Sequence, residues 1–184
     1  MSRAASTAPL RNKWRLFRRN RRGSAAVEFA LVAPVFFALL FAIIETAIVF
    51  FAGQVLETMT ANAARLIMTG TEQNSGTSSL ADFREKVCPT HPTTVLFMFT
   101  CANVSVDVQT VSAFSNATFP SPIDASGVFT PPNNYQPGGS GSIVVVRVFY
   151  PWQLFVTGLG FNISNMAGSK RLLIATAVFR NEPY

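Results

Sequence analysis

The chain has 184 residues, enough for one modest domain with an appendage. It is 49% hydrophobic and 13% charged, with a formal net charge of +6, which points to a membrane component. Eight of the fifteen basic residues lie in the first 22 positions, and from Ser24 onward nine acids face seven bases, which excludes an electrostatic nucleic-acid footprint beyond the N-terminal arm.

Residues 1–22 read as a cytoplasmic arm on anionic headgroups, with Trp14, Leu16 and Phe17 dipping into the interface. Residues 29–52 then form an apolar run longer than the about 20 residues a helix needs to cross a bilayer. The run is too long for the h-region of a secretory signal, so a retained anchor is expected. Arginines on its N-terminal flank orient it with the N-terminus in the cytoplasm and the C-terminus outside. Pro34 removes one backbone donor inside the run, which membrane helices tolerate.

Helical periodicity continues past the membrane. Val55, Leu56, Met59, Ala63, Leu66 and Ile67 fall within an arc of about 120°, while Gln54, Glu57, Thr58, Asn62, Ala64, Arg65 and Thr69 fill the other side. One helix from about residue 26 to about 69 is predicted, roughly 65 Å long, with Gly70 as its stop. A turn-rich linker covers residues 71–79, and Ser79 is placed to cap a short helix, Leu80 to Val87.

Three strands follow. Asn103 to Thr110 alternates, with Val104, Val106 and Val108 on one face and Ser105, Asp107 and Gln109 on the other, as a half-buried strand does. Residues 119–141, dense in Pro, Ser, Asn and Gly, read as a loop. "IVVVRVFY" (143–150) is a β-branched strand, expected to end at Pro151. "RLLIATAVFR" (171–180) is the third strand. So small a sheet needs a cover, and the apolar face of residues 55–67 is the natural one. The hydrophobic stretch 151–163 has three candidate uses: covering the sheet, lying on the membrane, or contacting a partner.

Few residues invite chemistry. Cys88 and Cys101 are separated by twelve residues and, with this topology, face an oxidising compartment, so a disulfide is expected. A loop of that size contributes about 3 kcal/mol in the chain-entropy model. His91 lies within it, but two cysteines and one histidine fall short of a structural zinc set, and a Cys–His nucleophile is equally poorly supported. No hydrolase, phosphate-loop or metalloprotease motif occurs. The expectation is therefore no catalytic residue, no cofactor and no metal: a non-enzymatic protein.

The junction Arg21-Arg22-Gly23-Ser24-Ala25-Ala26-Val27-Glu28-Phe29 is the most specific feature. An ionised side chain at the bilayer centre costs about 2.5–3.5 kcal/mol on insertion scales, so Glu28 needs a partner or a task. Arginines, a glycine and an acid five positions later resemble the precursors of type IV pilins. More narrowly, residues 21–70, and the ending "ATAVFRNEPY" (175–184), resemble the TadE family of minor pseudopilins of the Tad (Flp) system, a type IVc pilus. TadF proteins share the N-terminal pattern, so the subunit type stays open between the two. A domain of more than 100 residues beyond the helix argues for a minor subunit over the short major pilin.

The resemblance implies that a prepilin peptidase cuts after Gly23, making Ser24 the new N-terminus. It implies that Glu28 pairs with the N-terminal ammonium of a neighbouring subunit, each charge lowering the other's burial cost. Glu45, 17 residues further on and rotated by about 100°, shares no face with Glu28. It has two readings: a side chain reaching the outer interface, or a contact to another subunit's helix.

The expected architecture is thus α+β: a long N-terminal helix, membrane-spanning in its first half and amphipathic in its second, packed on a small antiparallel β-sheet. Residues 1–23 are the basic leader, 24–70 the helix and 71–184 a periplasmic or extracellular domain. The implied function is a minor pilin-like subunit for initiation, priming or the tip complex of a Tad pilus used in adhesion. Its implied partners are other minor pseudopilins and pilin, the inner-membrane assembly platform and the prepilin peptidase. The implied location is the bacterial inner membrane, single-pass, with entry into the extracellular pilus or retention as a membrane scaffold both open. The rival is a permanently anchored periplasmic binding or scaffold protein that keeps its N-terminus.

Overall fold

A computed structural model describes residues 23–76, 79–88, 98–158 and 160–184. The basic arm and His91 lie outside the described residues. The elements in chain order are α1 (Ser24–Met68), α2 (Thr71–Asn74), α3 (Leu80–Val87), β1 (Ser105–Val111), β2 (Ile143–Gln153) and β3 (Lys170–Arg180). The architecture is α+β, a long N-terminal helix packed on a three-stranded antiparallel sheet of order β1-β2-β3. The chain divides into two compact units, Met1–Phe41 and Ala42–Tyr184.

In the first unit, residues 24–41 are helical, and Val27, Phe29, Leu31, Val32, Val35, Phe36, Phe37, Leu39, Leu40 and Phe41 are all exposed. A helix apolar on every side belongs in lipid or against other helices. Of the described helices, α1 is the one long and apolar enough to cross a membrane.

The second unit holds the core. Val49, Ala52, Leu56, Ala63, Ala64 and Ile67 of α1 share one cluster with alternate residues of β2, namely Val144, Val146, Val148, Tyr150 and Trp152. Phe83 and Val87 of α3 complete it, and the Phe99 ring stands edge-on to Tyr150 at 4.9 Å. The buried stripe of α1 differs in phase and extent from the expected one. It begins at Ala42 and includes Glu45 and Thr60, while Val55, Met59 and Leu66 are only half-buried. The buried side of α1 is rich in small Ala and Thr side chains. The longer Val55 and Met59 pack at its margin, partly buried against the same cluster.

β2 is buried on both faces, which is why its sequence is a continuous apolar run rather than an alternation. Its second face, Val145, Arg147 and Phe149, is covered by the 119–141 loop. Phe129 packs on Phe149 at 5.8 Å, and the Arg147 guanidinium lies 4.1 Å from the centre of the Phe119 ring. That cover overturns the half-buried reading of β1. Asp107 is 1% exposed, opposite Arg147 in the ladder, and its Oδ2 accepts from Arg147 Nη2 at 2.7 Å and Nε at 3.1 Å. Asn134 and Gln109 donate to the same carboxylate, so the buried pair has its hydrogen bonds satisfied.

Pro151 does not end β2, which runs on to Gln153. The last β1 partner is Ser105, opposite Phe149, and Pro151 pairs with Leu172 of β3. Leu172 turns its own N–H away from β2, toward the Asn165 side chain, so Pro151 faces the side where β1 has ended. Its missing donor therefore costs no ladder bond.

The expected linker 71–79 opens instead with the short helix α2, Thr71–Asn74, in which Glu72 is buried. Ser79 caps α3, its Oγ accepting from the Asp82 N–H at 3.1 Å. After Met68 the chain turns at Gly70, whose φ of 73° suits glycine, and the Tyr184 ring lies where a Cβ at Gly70 would fall. The Glu182 N–H donates to the Met68 carbonyl at 2.9 Å, so the C-terminal segment closes the end of α1.

Candidate assembly site

Gly23, Ser24 and Glu28 stand together at the start of α1. Ser24 is the first residue of the helix and Glu28 follows one turn later. All three are exposed, and a side chain at Gly23 would meet nothing within 4 Å. Glu28 lies beyond the first turn, so the free N–H groups of the helix start do little to stabilise its charge. Among the described residues Glu28 forms no ion pair, and its neighbours Val27, Phe29, Leu31 and Val32 are exposed and apolar. A carboxylate in such surroundings is costly in lipid unless a cation meets it.

Glu45 is different. It is buried, and its carboxylate takes the backbone N–H groups of Phe155 and Val156, the latter at 3.0 Å to Oε2 and 3.2 Å to Oε1. Neither sequence reading placed it there: its partners come from its own chain, 110 residues away. Nothing local could have revealed this, since the donors are main-chain groups of the 151–163 stretch. That stretch has a mixed fate. Trp152 and Leu154 are buried in the sheet's core, while Phe155 is 85% exposed.

Cys88 and Cys101 form a disulfide with Cα atoms 5.5 Å apart, tying the end of α3 to the single turn that precedes β1. It lies apart from Glu28 in sequence and belongs to the second unit. Sequence reading also missed Glu72, which is fully buried, ion-paired to Lys86 and hydrogen-bonded by the Tyr135 hydroxyl at 3.2 Å. On the surface, the Ser126 hydroxyl and then the Val128 N–H donate to Asp124 and hold its carboxyl below the usual range.

The fold and this N-terminus define a class: an α+β protein built on one apolar helix, whose later half is the spine of its domain. Residues 23–65 match the family model described as TadE-like protein. The match covers less than half of the chain and includes Gly23, Ser24, Glu28 and Glu45. The chain is TadE-like in this segment, which associates it with the Tad pilus system. No curated protein and no solved structure matches it.

Proposed function

We propose that this chain is a minor pilin-like subunit for the biogenesis of a Tad (Flp) pilus, acting without catalysis in initiation, priming or the tip complex. A prepilin peptidase removes residues 1–23 between Gly23 and Ser24. The observation that carries the reading is Glu28: an acid with no ion pair among the described residues, fifth from Ser24, on an exposed apolar helix inside the TadE-like segment. Cleavage creates an ammonium at Ser24, and the same event removes eight basic residues that hold the segment at the cytoplasmic leaflet. Glu28 of one subunit then meets the ammonium of the next, and two charges that are each expensive in lipid become one neutral pair. The helix from Ser24 anchors the subunit in the inner membrane, with residues 71–184 on the periplasmic side, before transfer toward other minor pseudopilins, pilin and the assembly platform.

Intact mass of the membrane-extracted protein tests this. A mature chain beginning at Ser24 is expected. A chain that retains residues 1–23 defeats the proposal and leaves the permanently anchored periplasmic protein in its place. Glu28→Ala is expected to be cut normally yet to lose pili, and normal piliation removes the assigned role of the acid.

A further inference from the structure

From Ala42 onward, α1 and the sheet lie side by side, and their ends can be matched. Glu45 accepts from the Phe155 and Val156 N–H groups just beyond β2, whereas the Glu182 N–H, just beyond β3, donates to the Met68 carbonyl. The Gln153–Lys170 end of the sheet therefore lies near position 45 and the Ile143–Arg180 end near position 68, about 35 Å further along the helix. Around position 45 the outward side of α1 is still apolar: Ile43, Ile44, Ile48, Phe50 and Phe51 are all exposed. Exposed polar side chains resume at Gln54 and Glu57. Phe50 and Phe51 stand about 8–9 Å beyond Glu45 along the axis, so lipid that covers them also covers the level of Glu45. At that level the chain presents Phe155, 85% exposed and the most exposed large apolar side chain among the described residues.

We infer that the turn after β2 is a second membrane contact: Phe155 enters the leaflet from which α1 emerges, and the domain rests on that leaflet by its Gln153–Lys170 end. An aromatic ring left in water is unfavourable, and an interface that already receives Ile44, Ile48 and Phe51 takes it without any new partner. The buried acid then has a reason. Main-chain donors at this depth have few waters to turn to, and the Glu45 carboxylate serves two of them. Lys170, exposed at the same end, suits the phosphates of the headgroups. A helix alone lets a domain swivel about its axis, whereas a contact beside it fixes which side faces the bilayer. The inference rests on the anchoring of α1 in the membrane and does not depend on leader removal.

The test places a fluorescent label on the full chain in vesicles of phosphatidylethanolamine and phosphatidylglycerol that carry nitroxide-labelled lipid as quencher. The native cysteines are joined to each other, so an introduced cysteine is the reactive thiol. Gly158→Cys reports on the turn, where a side chain meets nothing within 4 Å. Ser140→Cys, also exposed, reports on the far end of the sheet, and Phe36→Cys on the helix itself. Quenching at 158 at least about fivefold above that at 140 is expected, because a residue seated in the interface lies within about 5–10 Å of the acyl boundary. Phe155→Gln, a surface change, is expected to cut quenching at 158 by at least about half. Quenching at 36 without quenching at 158 overturns the inference and leaves the anchor standing, whereas its absence at both positions overturns the anchor as well. Quenching at 158 that is indifferent to Phe155→Gln overturns it too. So does a blue shift of the 158 label that comes without quenching and grows with the protein-to-lipid ratio, since that marks burial against a second copy.

Discussion

At position 45 a carboxylate stands among Ile43, Ile44, Ile48 and Val49. By composition this is bilayer, yet the side chain is buried against main-chain donors of residues 155 and 156. Phe155 is largely exposed and Val156 half-buried, so water can partly replace the lost acceptor, and the loss is about 1–3 kcal/mol for the pair. Glu45→Ala is therefore expected to lower the thermal midpoint of the full chain in detergent and to raise amide exchange at Phe155 and Val156. Glu45→Gln keeps one acceptor oxygen and should lose less. Unchanged exchange in the alanine variant would show that the latch does not hold the loop. Asp107 makes the same point about legibility. It sits at a polar position of an alternating strand and is buried because Arg147, forty residues on, lies opposite it.

For α1, the question at the level of elements is which stripe faces the sheet. Leu56 is fully buried, whereas Val55, its neighbour on the expected arc, is only half-buried at the margin. Removing a buried leucine side chain costs about 2–5 kcal/mol, and removing a marginal valine much less. Leu56→Ala should thus destabilise the domain severely and Val55→Ala mildly, read by the urea midpoint of the detergent-solubilised chain; equal losses would return the stripe to the expected phase. The elements themselves were legible because their signals are local. Ser79 capping α3, Gly70 after α1 and the three β-branched runs each depend on a few adjacent residues. The phase of α1 was not, because its buried side uses Ala and Thr, which a search for large apolar residues passes over. Pro151 misled for a related reason, since its tolerance depends on where β1 ends, not on the strand that contains it. At the N-terminus, Gly23, Ser24 and Glu28 were singled out through family resemblance alone, whereas the packing around Glu45 left no local signal.

For the whole molecule, the apolar run and the first compact unit end at different places. By hydropathy the run ends near residue 52, but the compact units divide between Phe41 and Ala42. Residues 24–41 rise about 27 Å along the helix axis, close to the about 30 Å of a hydrocarbon core. From Ala42 the same helix carries buried residues of the domain: Glu45, Val49 and Ala52 precede Leu56. Every member of the core cluster lies beyond residue 41. A fragment beginning at Ala42 should accordingly keep the Cys88–Cys101 disulfide and unfold in one cooperative transition, in mild detergent to shield Ile43, Ile44, Ile48, Phe50 and Phe51. A fragment beginning at Ala52 lacks the acceptor for Phe155 and Val156 and the buried Val49. Lost hydrogen bonds and apolar burial together amount to about 3–6 kcal/mol, a large share of the stability of a domain this size. Circular dichroism melting curves of the two fragments decide the matter. A marked fall in midpoint, or loss of cooperativity, is expected only for the shorter one. Equal midpoints would mean that residues 42–51 belong to the membrane and contribute nothing to the domain.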